Sequence, residues 1–274
     1  MPGERPAACV RTLLACALAL ACGTNAAQNN TIDEINRYRQ MLQDGNPAEL
    51  LIGRGEDLWK TARGPKNASL EQCDLGLGPG VIKGVYARLP RYFADADQVL
   101  DFEGRLVYCM VTLQGFSRDE AVRNPYSGTG QRQTDIEAIT TYVVDQSRGM
   151  KIDVPQGHPK EKAAFERGRF LFYMRGGPYD FACSTCHGAD NQRIRLQDLP
   201  NLEKAEAAQR AFAQWPAYRV SQGALRTMQW RINDCFRQQR FPEPVFVSQA
   251  TIDLITYLGV RANGGTMESP SIKR

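Results

Sequence analysis

The stretch Cys183-Ser184-Thr185-Cys186-His187 decides the reading of this chain. Two thiols three positions apart fall on one helical turn, where they can add to the two vinyl groups of a haem. The adjacent imidazole then reaches the iron from the proximal side. A Cys-x-x-Cys pair also suits zinc or a redox couple, but the 274 residues contain only two histidines, and no second ligand pair for zinc is at hand. The motif predicts one covalently bound haem c on Cys183 and Cys186, with His187 as proximal ligand.

Upstream of the motif the chain repeats itself. Gly55-Glu56-Asp57-Leu58-Trp59-Lys60-Thr61-Ala62-Arg63-Gly64-Pro65 matches Gly168-Arg169-Phe170-Leu171-Phe172-Tyr173-Met174-Arg175-Gly176-Gly177-Pro178 in its Gly, Leu, aromatic and Pro positions, at a spacing of 113 residues. Extended without a gap, this spacing sets Cys73 against Cys186, Leu70 against Cys183 and Asp74 against His187. The first half therefore holds a haem motif reduced to one cysteine. Further on, Arg105-Leu106-Val107-Tyr108-Cys109 aligns with Arg231-Ile232-Asn233-Asp234-Cys235, and Ile139-Thr140-Thr141-Tyr142 with Leu254-Ile255-Thr256-Tyr257. Matches kept in order over such a length are the mark of an internal duplication. The expected fold is mainly α, with two tandem cytochrome-c-like domains: residues 28–150 without haem and residues 151–274 with it, joined near Lys151 to Lys160.

Apolar spacing predicts helices over Ile32–Leu42, Ala48–Ala62, Lys162–Tyr173 and Leu202–Phe212, and Ser248 is placed to cap a last helix reaching about Leu258. Strand signals are few; a short alternation runs from Val81 to Tyr86. The polar tail from Gly264 to Arg274 is expected to be mobile.

With 34 Lys+Arg against 30 Asp+Glu the formal charge is only +4, which lacks the excess that nucleic-acid binding requires. Hydrophobic residues at 42% and aromatics at 9% are globular composition. Residues 1–27 read as a signal peptide: Arg5 and Arg11 form a basic start, Leu13 to Cys22 an apolar run, and Thr24, Ala26 and Ala27 a small-residue cleavage region. No stretch approaches the roughly 20 apolar residues of a membrane span. Export removes Cys9, Cys16 and Cys22 and leaves Cys73, Cys109, Cys183, Cys186 and Cys235, an odd set in an oxidising compartment.

The repeat sorts these sulfurs. Cys109 is the counterpart of Cys235, and Cys73 that of a haem-attachment cysteine, so both border the space a first-half haem would fill. A Cys73–Cys109 disulfide is the expectation. Cys235 is then left unpaired, in the position of a distal haem ligand. Met228 and Met267 are the other downstream candidates, and Met228 as distal ligand would make the chain a non-catalytic electron-transfer cytochrome c. His158, in Gln156-Gly157-His158-Pro159, reads as a solvated loop residue. Arg231 lies one helical turn before Cys235 and shares its face, so its guanidinium can hold an oxyanion beside the sulfur. Trp215 and Tyr218 are candidate walls of that site.

Taken together, the block Glu71-Gln72-Cys73-Asp74-Leu75-Gly76-Leu77-Gly78-Pro79-Gly80, the motif Cys183 to His187 and Arg231-x-x-x-Cys235 resemble the SoxA subunits of SoxAX cytochromes over essentially the whole mature chain. The resemblance implies a periplasmic enzyme, an L-cysteine S-thiosulfotransferase, that joins thiosulfate oxidatively to a cysteine of the SoxYZ carrier and passes electrons to haem. It implies Cys235 as iron ligand and nucleophile, carried in the family as a persulfide, and Arg231 as the anion-binding residue. It also implies SoxX, a small cytochrome c, as partner. Leu70 and Asp74 depart from the members that bind a second haem and place this chain with the single-haem branch.

Overall fold

The computed structural model describes Glu34, Arg37, Tyr38, Met41 and residues 45–194 and 197–273. The expected signal peptide, residues 1–27, and most of the helix expected over Ile32–Leu42 lie outside the described residues. Residues 1–45 form one unit, in which Arg37 and Glu34 pair at 3.1 Å. Residues 46–274 form the other.

In this second unit helix α1 spans Glu49–Lys60, a hairpin follows in β1 (Arg91–Phe93) and β2 (Gln98–Leu100), and α2 (Phe102–Thr112), α3 (Arg118–Ala121) and α4 (Asp135–Asp145) complete the first half. The second half runs through α5 (Pro159–Tyr173), α6 (Cys183–His187), the short β3 (Arg193–Ile194) and β4 (Gln197–Asp198), α7 (Ala205–Ala213), β5 (Ala217–Arg219), β6 (Ala224–Arg226), α8 (Met228–Gln238), α9 (Gln249–Arg261) and β7 (Ser271–Lys273). Thr134 starts α4 with a capping box, accepting from Glu137 N at 3.2 Å while Glu137 Oε2 accepts from Thr134 N at 2.8 Å. Ser248 caps α9, as its sequence predicts, by accepting from Thr251 N.

Two helix crossings hold the halves in the same way. At Gly55 of α1 an added Cβ would stand 2.1 Å from Ala138 O and 2.7 Å from Tyr142 Cβ of α4; at Gly168 of α5 it would stand 1.9 Å from Asp253 O and 2.9 Å from Tyr257 Cβ of α9. Only glycine admits such backbone contact, which is why the sequence repeat preserves these two positions with Tyr142 and Tyr257. After each crossing helix the chain closes an equivalent turn: Arg63 bridges Ala68 and Gly176 bridges Phe181, with Gly64 at φ +72° and Gly177 at φ +68°. These pairs keep the 113-residue spacing seen in the sequence.

A second equivalence escapes sequence reading. Hairpin β1–β2 pairs Arg91 with Leu100, Tyr92 with Val99 and Phe93 with Gln98, while β5–β6 pairs Ala217 with Arg226, Tyr218 with Leu225 and Arg219 with Ala224. Every position recurs 126 residues later, and so do the left-handed turn residues Asp97 and Gly223. The same spacing relates α2 to α8, and Cys109 to Cys235. The core filled between these elements includes Leu106, Val107, Ile139, Val143, Phe172, Ile252 and Leu254, all at most 2% exposed. Burial of each such side chain contributes roughly 1.5–3 kcal/mol.

Cys73 and Cys109 form the expected disulfide, with Cα atoms 5.8 Å apart. Three expectations are corrected. Val81 to Tyr86 is not a strand but a run of turns leading into a 3-10 turn at Tyr86–Arg88. The tail is ordered through Lys273: Met267 is 1% exposed, and β7 lies parallel to β5, pairing Ser271 with Ala217. His158 is no solvated loop residue. It is the N-cap of α5, its Nδ1 accepting from Lys160 N at 3.2 Å, and its ring stacks on Tyr92 at 3.7 Å.

Candidate haem and oxyanion site

The haem motif forms the single turn α6, begun by Ala182 N donating to Thr185 Oγ1 at 2.9 Å. Cys183, Cys186 and His187 are each partly buried. His187 Nδ1 lies 2.9 Å from Pro200 O; a carbonyl only accepts, so Nδ1 carries the proton and Nε2 presents its lone pair. Burial, joined by the charge of Arg231, lowers the His187 pKa and keeps the ring neutral.

Cys235 lies on α8, where the Arg231 spacing puts both residues on one face. Cys183, Cys186 and Cys235 are the unpaired cysteines among the described residues. They share one electrostatic environment. Burial, with Cys235 and Cys186 nearby, pushes the Cys183 thiol up to about 12. Burial also raises Cys235, reinforced by Asp234 and Cys186 and opposed by Arg231 and Arg219. The structure thus brings together all five residues expected at the site: Cys183, Cys186, His187, Arg231 and Cys235.

Arg231 is fixed from two sides. Its Nη1 donates to Asp234 Oδ2 at 3.0 Å, and its guanidinium carbon stands 5.8 Å from the Trp215 ring centroid. Asp234, 6% exposed, also accepts from Arg237 Nη2 at 2.5 Å and Gln238 Nε2 at 2.9 Å. Trp215 therefore stands beside Arg231.

Met228 sits at the opposite end of α8. It is 7% exposed and borders a small cavity with Tyr86, Leu89, Phe102 and Phe212. Two turns of helix separate it from Cys235. Met267 is a buried residue of the tail itself.

The donor set fits a c-type haem. Two unpaired thiols share one turn with a neutral histidine whose Nε2 is bare, and a third sulfur stands within electrostatic reach of both thiols. Sequence reading missed Asp234 as the anchor of Arg231 and Arg219 as a second cation beside Cys235. Carrying the 126-residue spacing back from Cys235 to Cys109 would have found Arg219, which takes the place of Phe93.

Comparison with known proteins points to one family. A family model described as the SoxA/TsdA cytochrome c domain matches residues 54–152, the half whose motif is reduced to one cysteine. The chain is 53% identical over 240 residues to the L-cysteine S-thiosulfotransferase subunit SoxA of Hydrogenophilus thermoluteolus, covering 88% of this chain and 87% of that one. A SoxA of Hydrogenobacter thermophilus is 35% identical over 255 residues, covering 91% and 92%. Among solved structures, the crystal structure of SoxXA from P. pantotrophus shares the fold with a TM-score of 0.70 at 24% identity, covering 87% of this chain and 84% of that one. An identity above one half, sustained over nearly the full length of both sequences, places the chain in the SoxA family of sulfur-oxidation cytochromes.

Proposed function

We propose that the protein is a periplasmic L-cysteine S-thiosulfotransferase with a single haem c, which joins thiosulfate to a cysteine of the SoxYZ carrier. The observation that carries this reading is the placement of Cys235 and Arg231 on one face of α8, beside the haem motif and against Trp215. A plain electron shuttle needs no cationic pocket at its distal sulfur. Cys183 and Cys186 would hold the haem covalently, with His187 and Cys235 as its iron ligands; the group supplies a one-electron acceptor at the site.

The chain's own residues do the rest. Arg231, oriented by Asp234, binds the sulfonate oxygens and presents the outer sulfur of thiosulfate to Cys235. Bond formation between that sulfur and the Cys235 thiol releases one proton and two electrons and leaves a cysteine S-thiosulfonate. A carrier thiolate then attacks the outer sulfur, takes the S-thiosulfonate and returns Cys235 as thiolate. Two electrons exceed what one iron accepts, so SoxX, the cytochrome partner, supplies the outlet.

The paired turns, hairpins and crossings support two tandem cytochrome-c-like domains, residues 28–150 and 151–274, the first closed by the Cys73–Cys109 bridge in place of haem. Among the described residues no helix is long and apolar enough to cross a membrane. The test of the reading is Arg231→Ala. It should keep the haem spectrum and lose turnover at limiting thiosulfate. Full turnover would refute the anion-site assignment, and loss of haem would show that Arg231 holds a propionate.

A further inference from the structure

The two halves treat the same place in the fold in opposite ways. In the first half Arg105, the counterpart of Arg231, is fully compensated: both Asp95 oxygens lie 2.8 Å from its Nη1, Asp74 O accepts from its Nε at 2.7 Å, and its guanidinium carbon stands 4.2 Å from the Phe93 ring centroid. Phe93 closes strand β1, where it pairs with Gln98. In the second half the equivalent of Phe93 is Arg219, which closes β5 opposite Ala224. A ring that would cushion the arginine has been replaced by a second guanidinium, and the position of Asp95 is taken by Ser221.

Arg219 has no counter-ion. Its Nε is buried without a hydrogen-bond partner, and among the described residues it forms no ion pair. Its like-charged neighbours are Arg231 and Arg226; Asp234 is the nearby carboxylate, but it is engaged by Arg231 and Arg237. Lys273, beside Arg219 in the parallel register of β7, is turned to Gln214. Burial and the charge of Arg231 both work against the Arg219 cation. An arginine placed in this way carries an electrostatic cost that the first half shows to be avoidable, since Phe93 is compatible with the same hairpin register.

We propose that Arg219 is the second arm of the thiosulfate site: with Arg231 it grips the dianion from across Cys235, its unpartnered guanidinium taking the sulfonate oxygens as counter-ion. The inference rests on the reading of the site as a thiosulfate site. Charge count supports it. Arg219, Arg231 and Arg237 against Asp234 leave two positive charges for a ligand that carries two negative ones, whereas Arg231 on its own is already neutralised by Asp234. Position supports it as well. Arg219 closes β5, and its charge acts on Cys235 together with that of Arg231.

The experiment compares haem-loaded parent, Arg219→Gln, Arg219→Lys and Arg219→Phe. The last recreates the Phe93 arrangement and keeps the fold if glutamine does not. Thiosulfate binding is measured by titration calorimetry without carrier, and turnover with SoxYZ alongside. Arg219→Gln and Arg219→Phe should weaken thiosulfate binding at least tenfold and raise KM by a similar factor, with kcat within about twofold and haem content and absorption unchanged. Arg219→Lys should recover part of the loss. Unchanged binding and KM with intact haem would overturn the proposal. So would lost haem or an altered haem spectrum with unchanged binding, which would assign Arg219 to a haem propionate, and so would a parent that binds no thiosulfate. If the parent binds thiosulfate through Arg219 but does not couple it to the carrier, the enzymatic reading falls and the anion site stands.

Discussion

Asp101 Oδ2 accepts a hydrogen bond from Gln229 Nε2 at 2.7 Å, across 128 residues of chain. The contact ties the cap of α2 to the first turn of α8. Asp101 caps α2 by accepting from Gly104 N at 2.8 Å, and Thr227 caps α8 by accepting from Trp230 N at 3.2 Å. The α2 cap also reaches the second residue of α8, Asp101 to Gln229, while Glu103, the second residue of α2, has its Oε1 buried without a hydrogen-bond partner beside the Thr227 cap. All four residues are at most 3% exposed. The two equivalent helices are thus tied at their starts by polar groups inside the core, which must be satisfied there or carry a desolvation cost.

That cost makes stability depend on pH. Burial pushes the Asp101 carboxyl up to about 6, against about 4 in an unfolded chain, and burial with the Asp101 charge raises Glu103 as well. A carboxyl raised on folding binds more protons in the native state, so its contribution falls as pH rises from about 4 to about 6. Asp101→Asn keeps the acceptor for Gly104 N and removes the charge, but sets its Nδ2 donor against Gln229 Nε2, so one hydrogen bond is lost at every pH. The stability of the variant relative to the parent should rise by on the order of 1–3 kcal/mol between pH 4 and pH 7. Denaturant titrations of both proteins from pH 4 to 7 check this; a relative stability of the variant that rises on acidification contradicts it.

The Cys73–Cys109 bridge encloses a separation of 36 residues. Closing a loop of that size stabilises by roughly 3–4 kcal/mol in the chain-entropy account. Cys73→Ser with Cys109→Ser should lower the unfolding free energy by that order and leave the haem spectrum intact, because α6 lies in the other half. Alkylation of the unreduced, denatured parent should label neither cysteine.

What could be read from sequence follows from the range of the interactions. The haem motif and the Gly64 and Gly177 turns are local, and the Gly55 and Gly168 crossings each rest on one backbone contact, so all of them survive as patterns. The bridge was legible because the repeat set Cys73 and Cys109 around one vacancy. Hairpins of three-residue strands leave too short an alternation to register, so β1–β2 and β5–β6 were missed while Val81 to Tyr86 misled. The tail strand β7 is held by a partner more than fifty residues away, and nothing in its own polar composition announces that. Arg219 looked like one charge among many until the register of β5 set it opposite the Phe93 of the other half.

Gly168 tests the crossing itself. A methyl group there would collide with Asp253 O and Tyr257 Cβ, and neither backbone can yield without parting α5 from α9. Gly168→Ala should cost at least about 1–3 kcal/mol and reduce haem incorporation, since α5 leads directly into the turn before Cys183. Gly53→Ala is the control on α1. Its Cβ meets nothing within 4 Å, and the change should be neutral or slightly stabilising by helix propensity. Thermal melts and haem content per chain measure both.

Cys235→Ala addresses the chemistry. Attachment depends on Cys183 and Cys186, so the variant should retain one haem per chain by mass. Its absorption should change, because the sulfur assigned to the iron is gone, and conjugation of thiosulfate to the carrier should fall to background. Met228→Leu is the matching control. Met228 lies two turns from Cys235 among Tyr86, Leu89 and Phe102, so an apolar replacement of similar volume should leave the spectrum unchanged and cost less than about 1.5 kcal/mol. The opposite pattern, with Met228→Leu altering the spectrum and Cys235→Ala leaving it alone, would move the distal ligand to Met228 and make the protein an electron shuttle. If both spectra are unchanged, neither residue ligates the iron. Retained conjugation in Cys235→Ala would then remove the nucleophile assignment as well.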